Sequence, residues 1–167
     1  FKDGFYNMLV SVAHKGHTME ECIDELVTEI KLDDGFKETL NWCVSNDVDV
    51  VVVSSGMQII INALLKKLVG DDLSKYITIY SNSHKFSEID DLVENDGGWR
   101  INWRDDSSFG HDKNESIIHY VQKVYPDESK RGLLFYSGDG VSDISASRSC
   151  DILYAKKGMD LVDICIK

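Results

Sequence analysis

Apolar residues recur at helical spacing along the first part of the chain. The first stripe ends before Gly16 and comprises Phe5, Met8, Leu9, Val12 and Ala13. A second helix is predicted to follow at once, because Thr18 and Glu21 form the T-x-x-E capping box that satisfies free amides at a helix start. Its apolar stripe comprises Cys22, Ile23, Leu26, Val27 and Ile30. Two amphipathic helices therefore precede the first predicted strand.

From about Asp33 onward, helical stripes alternate with short, continuous apolar runs. In chain order the pattern predicts a helix through Phe36, Leu40 and Cys43, a strand at 48–53, a helix at 59–68, a strand at 77–81, a helix at 113–124, a strand at 133–137, a short helix after Val141 and a strand at 151–155. Apolar strands that alternate with helices are typical of a parallel sheet covered on both faces. The sequence therefore predicts a doubly wound α/β core with a helical appendage at its N-terminus.

This alternation stops between residues 84 and 110. The stretch ENDGGWRINWRDD contains a turn signal at Asp96-Gly97-Gly98 followed by an exposed strand, which predicts a hairpin flap. Trp99 and Trp103 lie on that strand. We expect them to pack the hairpin onto the core rather than to bind a substrate, because aromatic side chains mostly serve to bury area.

The composition indicates a globular and acidic protein. A chain of 167 residues with 43% apolar residues is about one domain and can bury a core. Its 18 Lys and Arg against 29 Asp and Glu give a net charge of -11, which repels nucleic-acid phosphates and anionic lipids. The longest apolar run is far shorter than the ~20 residues that cross a bilayer. We therefore expect neither nucleic acid nor a membrane as a partner, and the oligomeric state stays open.

Cysteine usage favours a reducing compartment. The four cysteines, Cys22, Cys43, Cys150 and Cys165, form no C-x-x-C pair, and three of them lie in predicted helices beside apolar residues. We therefore expect core thiols and a cytoplasmic protein.

Candidate chemistry lies where strands end, because ligands of open α/β sheets bind beyond the carboxyl ends of the strands. The strand at 48–53 is followed by Ser54-Ser55-Gly56 and then a helix. Hydroxyl groups and backbone amides at a helix start can bind an anion. Serines at this position can equally be a plain helix cap, and the segment alone leaves both interpretations open.

A second strand end carries two carboxylates. The strand at 133–137 runs into Gly138-Asp139-Gly140, and Asp143 follows one helical turn later. Aspartates at such turns are commonly N-caps. One cap needs one aspartate, however, whereas two close carboxylates on a glycine-hinged turn suit Mg²⁺, which leaves sites for phosphate oxygens. We favour the metal site over the cap.

Lys113 stands where a helix is predicted to begin, and the positive end of the helix dipole disfavours a cation there. Either the lysine is solvated at the surface, or it is aimed at a phosphate whose charge offsets the cost. The pair Asp47 and Asp49 imitates the D-x-D motif of aspartyl-phosphate enzymes, but these aspartates enter their strand at its amino end. That is the wrong end of the sheet for a ligand site.

In this order, Ser54-Ser55-Gly56, Lys113 and GDGVSD at 138–143 resemble the second, third and fourth motifs of the haloacid dehalogenase superfamily, in its phosphoserine-phosphatase-like branch. The segment LDDGFKETL is similar to the point where that branch re-enters its core after a helical cap, and YSNS with the later D-G turn is similar to its hairpin insert. The whole sequence most resembles the fungal phosphatases of this branch.

The resemblance implies a fold and a set of roles. It implies a Rossmann-like, doubly wound parallel sheet with a cap remnant at residues 1–32 and a core at 33–167. By the same resemblance, Ser54 and the amide of Ser55 bind phosphate and Lys113 neutralises it. Asp139 would bind Mg²⁺ and Asp143 would complete or orient the metal site, so Lys113 and Asp143 are the catalytic candidates.

One family motif is missing, because the nucleophile of the family is the first aspartate of a D-x-D motif that precedes the cap. We therefore expect the nucleophile and the first core strand upstream of this chain, and we expect residues 1–167 alone to be inactive. The leading hypothesis is a Mg²⁺-dependent phosphatase that hydrolyses a small phosphomonoester through an aspartyl-phosphate intermediate. The alternative is a non-catalytic module that binds a phosphorylated ligand.

Overall fold

The computed structural model of the protein describes residues 2–86 and 97–166. The chain divides into two compact units, Phe1–His111 and Asp112–Lys167, here called unit 1 and unit 2. Unit 1 contains α1 (Lys2–His14), α2 (Met19–Glu29), α3 (Phe36–Ser45), β1 (Val50–Met57), α4 (Gln58–Val69), α5 (Asp71–Ser74), β2 (Ile77–Phe86) and β3 (Trp99–Asn102). Unit 2 contains α6 (Lys113–Val124), a short 3-10 helix (Glu128–Lys130), β4 (Phe135–Gly138), α7 (Asp143–Ser147), β5 (Ile152–Ala155) and α8 (Asp160–Cys165).

The start of α2 is fixed by the capping box that the sequence predicts. The Thr18 hydroxyl accepts a hydrogen bond from the Glu21 amide at 3.2 Å, and the Glu21 carboxylate accepts one from the Thr18 amide at 3.0 Å. Two amides that a helix start leaves free are thereby satisfied.

Among the described residues of unit 1, apolar side chains pack in two clusters. In the first, α1 and α2 pack against β3 and the start of α4 through Leu9, Ala13, Met19, Met57, Trp99 and Ile101. In the second, α3 and α4 pack on the sheet through Leu40, Leu65, Val69 and Ile77. Burying each large apolar side chain stabilises the fold by about 1.5–3 kcal/mol.

The two tryptophans of the hairpin pack as expected. Trp99 is 1% exposed, and its indole N–H donates a hydrogen bond to the His17 carbonyl at 2.9 Å. Trp103 is half-buried against the same cluster, with the Phe5 ring 6.2 Å away and Lys2 over its face. Both rings therefore stabilise unit 1.

The sheet of unit 1 has the order β1-β2-β3. β1 and β2 are parallel from Val50↔Ile77 to Ser54↔Ser81, and β2 continues into an antiparallel pairing with β3 from Ser83↔Asn102 to Phe86↔Trp99. The hairpin is therefore present. The part of its turn predicted at Asp96 lies outside the described residues.

In unit 2, β4 and β5 pair in parallel from Phe135↔Ile152 to Gly138↔Ala155. The buried face of α6 lies at positions i, i+3, i+4, i+7 and i+8 and consists of Lys113, Ser116, Ile117, Tyr120 and Val121. The helix spans the same residues as the sequence predicts. Its first buried position is occupied by a lysine.

Two details differ from the expectations. The first strand does not end at residue 53, because β1 continues through Ser54, Ser55 and Gly56 to Met57. The four cysteines are free, but none of them is a core residue: Cys22, Cys43 and Cys150 are half-buried and Cys165 is exposed.

Candidate active site

The segment Ser54-Ser55-Gly56 is the irregular carboxyl end of β1. Parallel pairing with β2 shifts between Ser54 and Met57, and within this step the Gly56 amide donates a hydrogen bond to the Ser54 hydroxyl at 3.1 Å. The N-cap of α4 is Met57, and no side chain caps the helix. The helix-cap interpretation of the serines is therefore wrong.

The hydroxyl oxygen of Ser55 is buried and has no hydrogen-bond partner among the described residues. An unpaired buried hydroxyl costs on the order of 1–3 kcal/mol, so such groups are few in folded proteins. Its position three residues before α4 places it at the sheet edge where ligands of α/β proteins bind. The unpaired hydroxyl is what a site for an oxyanion would present.

Two buried polar side chains hold the backbone of this segment. Asn82 is 0% exposed; its amide donates to the Ser55 carbonyl at 2.8 Å and accepts from the Arg104 amide at 2.8 Å. Nδ1 of His111 donates to the Ser54 carbonyl at 2.7 Å. Both carbonyls are thus fixed by groups distant in sequence, which the sequence analysis did not identify.

In unit 2, Lys113 is a buried side chain with an ionic partner. Lys113 is 8% exposed and its Nζ lies 2.5 Å from Oδ1 of Asp143, which is 3% exposed. The interpretation of Lys113 as a solvated surface lysine is therefore wrong. A carboxylate offsets the cost of a cation at the start of α6.

Asp143 accepts four hydrogen bonds, which occupy both of its oxygens. Oδ1 receives Lys113 Nζ and the Tyr136 hydroxyl, each at 2.5 Å. Oδ2 receives the amides of Asp139 at 3.0 Å and Gly140 at 2.9 Å. Burial alone would raise the pKa of Asp143, but the hydrogen bonds from Lys113, Tyr136 and Gly140 outweigh it and hold the pKa below its usual range. Asp143 is therefore a carboxylate that fixes the 138–140 turn to Lys113.

Tyr136 is a member of this cluster that the sequence analysis missed. Burial, and then the hydrogen bond to Asp143, raise the pKa of its phenol well above the ordinary value. The group is therefore a permanent hydrogen-bond donor. Tyr136 turns inward between exposed Phe135 and Ser137, an alternation that the apolar run LLFYS does not show in the sequence.

Gly138 is required by the close approach of Asp143. A Cβ on Gly138 would lie 2.6 Å from Cγ of Asp143, well inside van der Waals contact. The bare backbone at this position lets the carboxylate reach the two amides that follow. The glycine of the G-D-G turn thus has a steric role here.

Asp139 is exposed, and its carboxylate has no hydrogen bond or ion pair with any described residue. Its backbone is held at both ends, because its amide donates to Asp143 and its carbonyl accepts from Leu161 at 3.0 Å. The side chain is therefore a free carboxylate on a fixed turn.

These residues fit a hard divalent cation with Asp139 as its carboxylate ligand. Mg²⁺ is bound in proteins through one or two carboxylates, with water and phosphate oxygens completing the octahedron. Asp143 is engaged by four donors, and no group of three or more His, Cys, Asp or Glu that could hold a metal lies within residues 2–86 and 97–166. A cation bound at Asp139 would therefore complete its coordination with water or substrate oxygens.

The D-x-D pair lies at the amino end of its strand, as the sequence indicates. Asp47 and Asp49 precede Val50, the first residue of β1, and Asp47 has a left-handed backbone with φ 54°. Neither aspartate is at the end of the strand that carries Ser54 and Ser55.

The profile of the haloacid dehalogenase-like hydrolase family matches residues 3–148, most of the chain. The chain belongs to this family. The resemblance inferred from Ser54-Ser55-Gly56, Lys113 and the G-D-G turn is confirmed, and so is the haloacid dehalogenase-like α/β fold class.

Fungal proteins are among the relatives. Polyol phosphate phosphatase PYP1 of Saccharomyces cerevisiae is 45% identical over 171 aligned positions, which cover 100% of this chain and 66% of that protein. Pdp3-interacting factor 1 of Schizosaccharomyces pombe is 41% identical over 165 positions, covering 99% of this chain and 66% of that protein. This member of the haloacid dehalogenase-like family thus spans about two thirds of the length of the curated relatives it matches.

Across the described parts of the chain, each helix is too short or too polar to cross a membrane. The division into a cap at 1–32 and a core at 33–167 stays a prediction, since α1 and α2 pack within the first apolar cluster of unit 1.

Proposed function

We propose that this chain is part of a phosphatase that hydrolyses a small phosphomonoester with the help of Mg²⁺. The observation that carries the proposal is the pairing of a buried Lys113–Asp143 ion pair with the free, rigidly held carboxylate of Asp139 on the same turn. A buried ion pair adds little net stability to a fold. The presence of this pair beside a fixed, exposed carboxylate therefore favours a role in function.

Each candidate residue has a role in this proposal. Ser54 and Ser55 would donate hydrogen bonds to phosphate oxygens, and Asn82 and His111 would keep their backbone in place. Lys113 would place a positive charge on the transferring phosphoryl group, where preorganised charge is worth about 3 kcal/mol or more.

Asp139 would bind the cation, and Asp143 would act by orienting Lys113 and the turn. A bound Mg²⁺ supplies charge neutralisation for the phosphoryl oxygens. Asp143 would not bind the cation directly, because four hydrogen bonds occupy both of its carboxylate oxygens. Of the two roles that the resemblance implies for Asp143, the geometry supports orientation.

No aspartate of this chain stands where the family resemblance places the nucleophile, so the proposal assigns that role to an aspartate outside residues 1–167. The family mechanism implies attack of that carboxylate on phosphorus, loss of the alcohol and hydrolysis of the resulting aspartyl phosphate by water. The same aspartate motif supplies a general acid and base.

The proposed substrate class is a phosphorylated polyol. The support is the name of the Saccharomyces cerevisiae relative, which is a polyol phosphate phosphatase at 45% identity. The name of the Schizosaccharomyces pombe relative concerns a protein partner of that protein and does not bear on the site. The alternative of a non-catalytic phospholigand-binding module is not favoured, because Lys113, Asp139 and Asp143 are all retained.

The test is phosphate release by the full-length protein from glycerol phosphate and from 4-nitrophenyl phosphate, with Mg²⁺ and with EDTA. The proposal expects turnover in Mg²⁺ that EDTA abolishes and that added Mg²⁺ restores. Turnover that survives EDTA would contradict the proposed metal dependence. Failure to hydrolyse any phosphomonoester would contradict the proposed activity.

A further inference from the structure

We propose that a polar pocket at the start of α4 binds the hydroxyl-bearing part of the substrate. The pocket, here called the α4–hairpin pocket, has a volume of about 330 Å³ and is lined by Gln58, Ile59, Asn62, Ser83 and His84. This inference rests on the proposed phosphatase function and assigns residues to its specificity.

The position of the pocket follows from the strand register. The last parallel pair of the sheet is Met57↔Asn82, so Ser83 and His84 lie just beyond the carboxyl end of the parallel sheet, where β2 enters the hairpin. Gln58 is the first residue of α4 and follows Ser55 by three positions. The α4–hairpin pocket therefore lies at the ligand-binding edge of the sheet, close along the chain to the proposed phosphate-binding serines.

The lining groups can each donate or accept hydrogen bonds. Gln58 and Asn62 lie one turn apart on α4, and neither amide has a hydrogen-bond partner among the described residues. The Ser83 hydroxyl accepts from the Asn102 amide at 2.8 Å, which leaves its proton free to donate. The His84 ring stands edge-on to Phe86 at 5.2 Å, which limits how the imidazole can turn.

The chemistry of the lining selects neutral hydroxyl groups. Amides, a hydroxyl and an imidazole match the alcohol O–H, which donates and accepts in the same way. Carboxylates, lysines and arginines are absent from the described residues that line the pocket, so a charged leaving group would find no counter-ion. Among the described lining residues, Ile59 is the one apolar side chain, and it offers little to an aryl or acyl group.

The volume limits the size of the ligand. Small-molecule pockets span about 300–1,000 Å³, and this pocket lies at the lower end. A short polyol chain is therefore the class of ligand that its size and lining fit together.

The experiment compares two substrates that share a phosphate but differ in hydroxyl groups. Asn62→Leu and Gln58→Met keep the side-chain size and remove hydrogen-bonding capacity at two exposed positions where folding is not at risk. In the full-length protein, each change is expected to lower kcat/KM for glycerol phosphate about tenfold more than kcat/KM for 4-nitrophenyl phosphate. Asn41→Leu on α3, whose amide bonds only the Lys37 carbonyl of its own helix, is the matched control and should leave that ratio unchanged.

Binding measurements test the pocket independently of the proposed phosphatase activity. In calorimetry, Asn62→Leu should weaken the affinity for glycerol phosphate about tenfold more than the affinity for inorganic phosphate. This result would support the pocket even if no substrate were hydrolysed. An unchanged ratio for both variants, or an equal loss for the two ligands, would overturn the assignment. So would an absence of glycerol phosphate binding by the unaltered protein.

Discussion

At Lys113, a cation occupies the end of a helix that electrostatically disfavours it, and Asp143 compensates. Both side chains are nearly inaccessible to water, at 10% and 5% exposure. Removing one partner of such a pair leaves an uncompensated buried charge, which costs more than the pair contributes. The cluster of Lys113, Tyr136 and Asp143 should therefore respond to substitution as one unit.

Lys113→Met should lower the free energy of unfolding by about 3 kcal/mol, since Asp143 would keep its charge without a cation. Adding Asp143→Asn to it should recover part of this loss, because a neutral amide does not need the lysine. Denaturant unfolding of the two single variants and the double variant measures the coupling. Additive effects within about 0.5 kcal/mol would contradict the pairing.

Tyr136→Phe removes one of the four hydrogen-bond donors to Asp143 and keeps the aromatic ring in place. We expect a loss of about 1 kcal/mol in the free energy of unfolding, the usual value for a buried hydrogen bond. Tyr154→Phe on β5 is the control, since Tyr154 is 57% exposed. Equal stability of the two variants in thermal or denaturant unfolding would show that the Tyr136 hydroxyl does not hold Asp143.

Among the elements, the turn after β4 depends on glycine at position 138, because a Cβ there would collide with Asp143. Gly138→Ala should displace Asp143 and cost about 1–3 kcal/mol in unfolding free energy through overpacking. Gly132→Ala is the control, because a Cβ there meets nothing within 4 Å. The expected difference between the two variants is measured by denaturant unfolding, and equal stabilities would refute the steric role of Gly138.

Asp151 ties the starts of β4 and β5 together. It accepts from Arg131 at 2.6 Å and from the Leu134 amide at 2.7 Å, and the hydrogen bond from Arg131 is the main cause that lowers its pKa to about 2. A lowered carboxyl pKa gives stability that is present above the unfolded pKa near 3.9 and is lost as pH falls towards 2.

Asp151→Asn should therefore be less stable than the unaltered protein at pH 5–7, and the difference should shrink between about pH 4 and pH 2. Urea unfolding across this range checks the prediction, with Asp163→Asn on the exposed side of α8 as the control. A difference in unfolding free energy that stays constant down to pH 2 would show that the ion pair with Arg131 does not lower the pKa of Asp151.

At the scale of the whole molecule, local signals predicted the elements. The capping box fixes the start of α2, α6 spans Lys113–Val124 as its apolar stripe indicates, and the hairpin follows from the break in alternation. These features depend on residues within a few positions of one another. The prediction of Lys113 and Asp143 as site residues likewise rests on local signals, a helix start for Lys113 and the turn after a strand for Asp143.

Contacts between distant residues could not be predicted in this way. Asn82 reaches Ser55 across 27 positions, and His111 reaches Ser54 across 57. Asparagine and histidine are common residues beyond strand ends, so the sequence gives no sign of their role. Only the folded structure shows that Asn82 and His111 hold the backbone of Ser55 and Ser54. The continuation of β1 through Ser54–Gly56 likewise depends on its pairing with β2.

Asp139 is proposed to bind the cation that catalysis requires. The most direct test is kcat/KM for glycerol phosphate in the full-length protein, titrated with Mg²⁺, for Asp139→Asn beside Asp163→Asn, which makes the same change at an exposed position of unit 2. A neutral amide is a poor ligand for a hard cation, so Asp139→Asn should lose at least about a hundredfold at every Mg²⁺ concentration, while Asp163→Asn should match the unaltered protein. Full activity of Asp139→Asn with an unchanged Mg²⁺ requirement would contradict the role of Asp139 as the metal ligand.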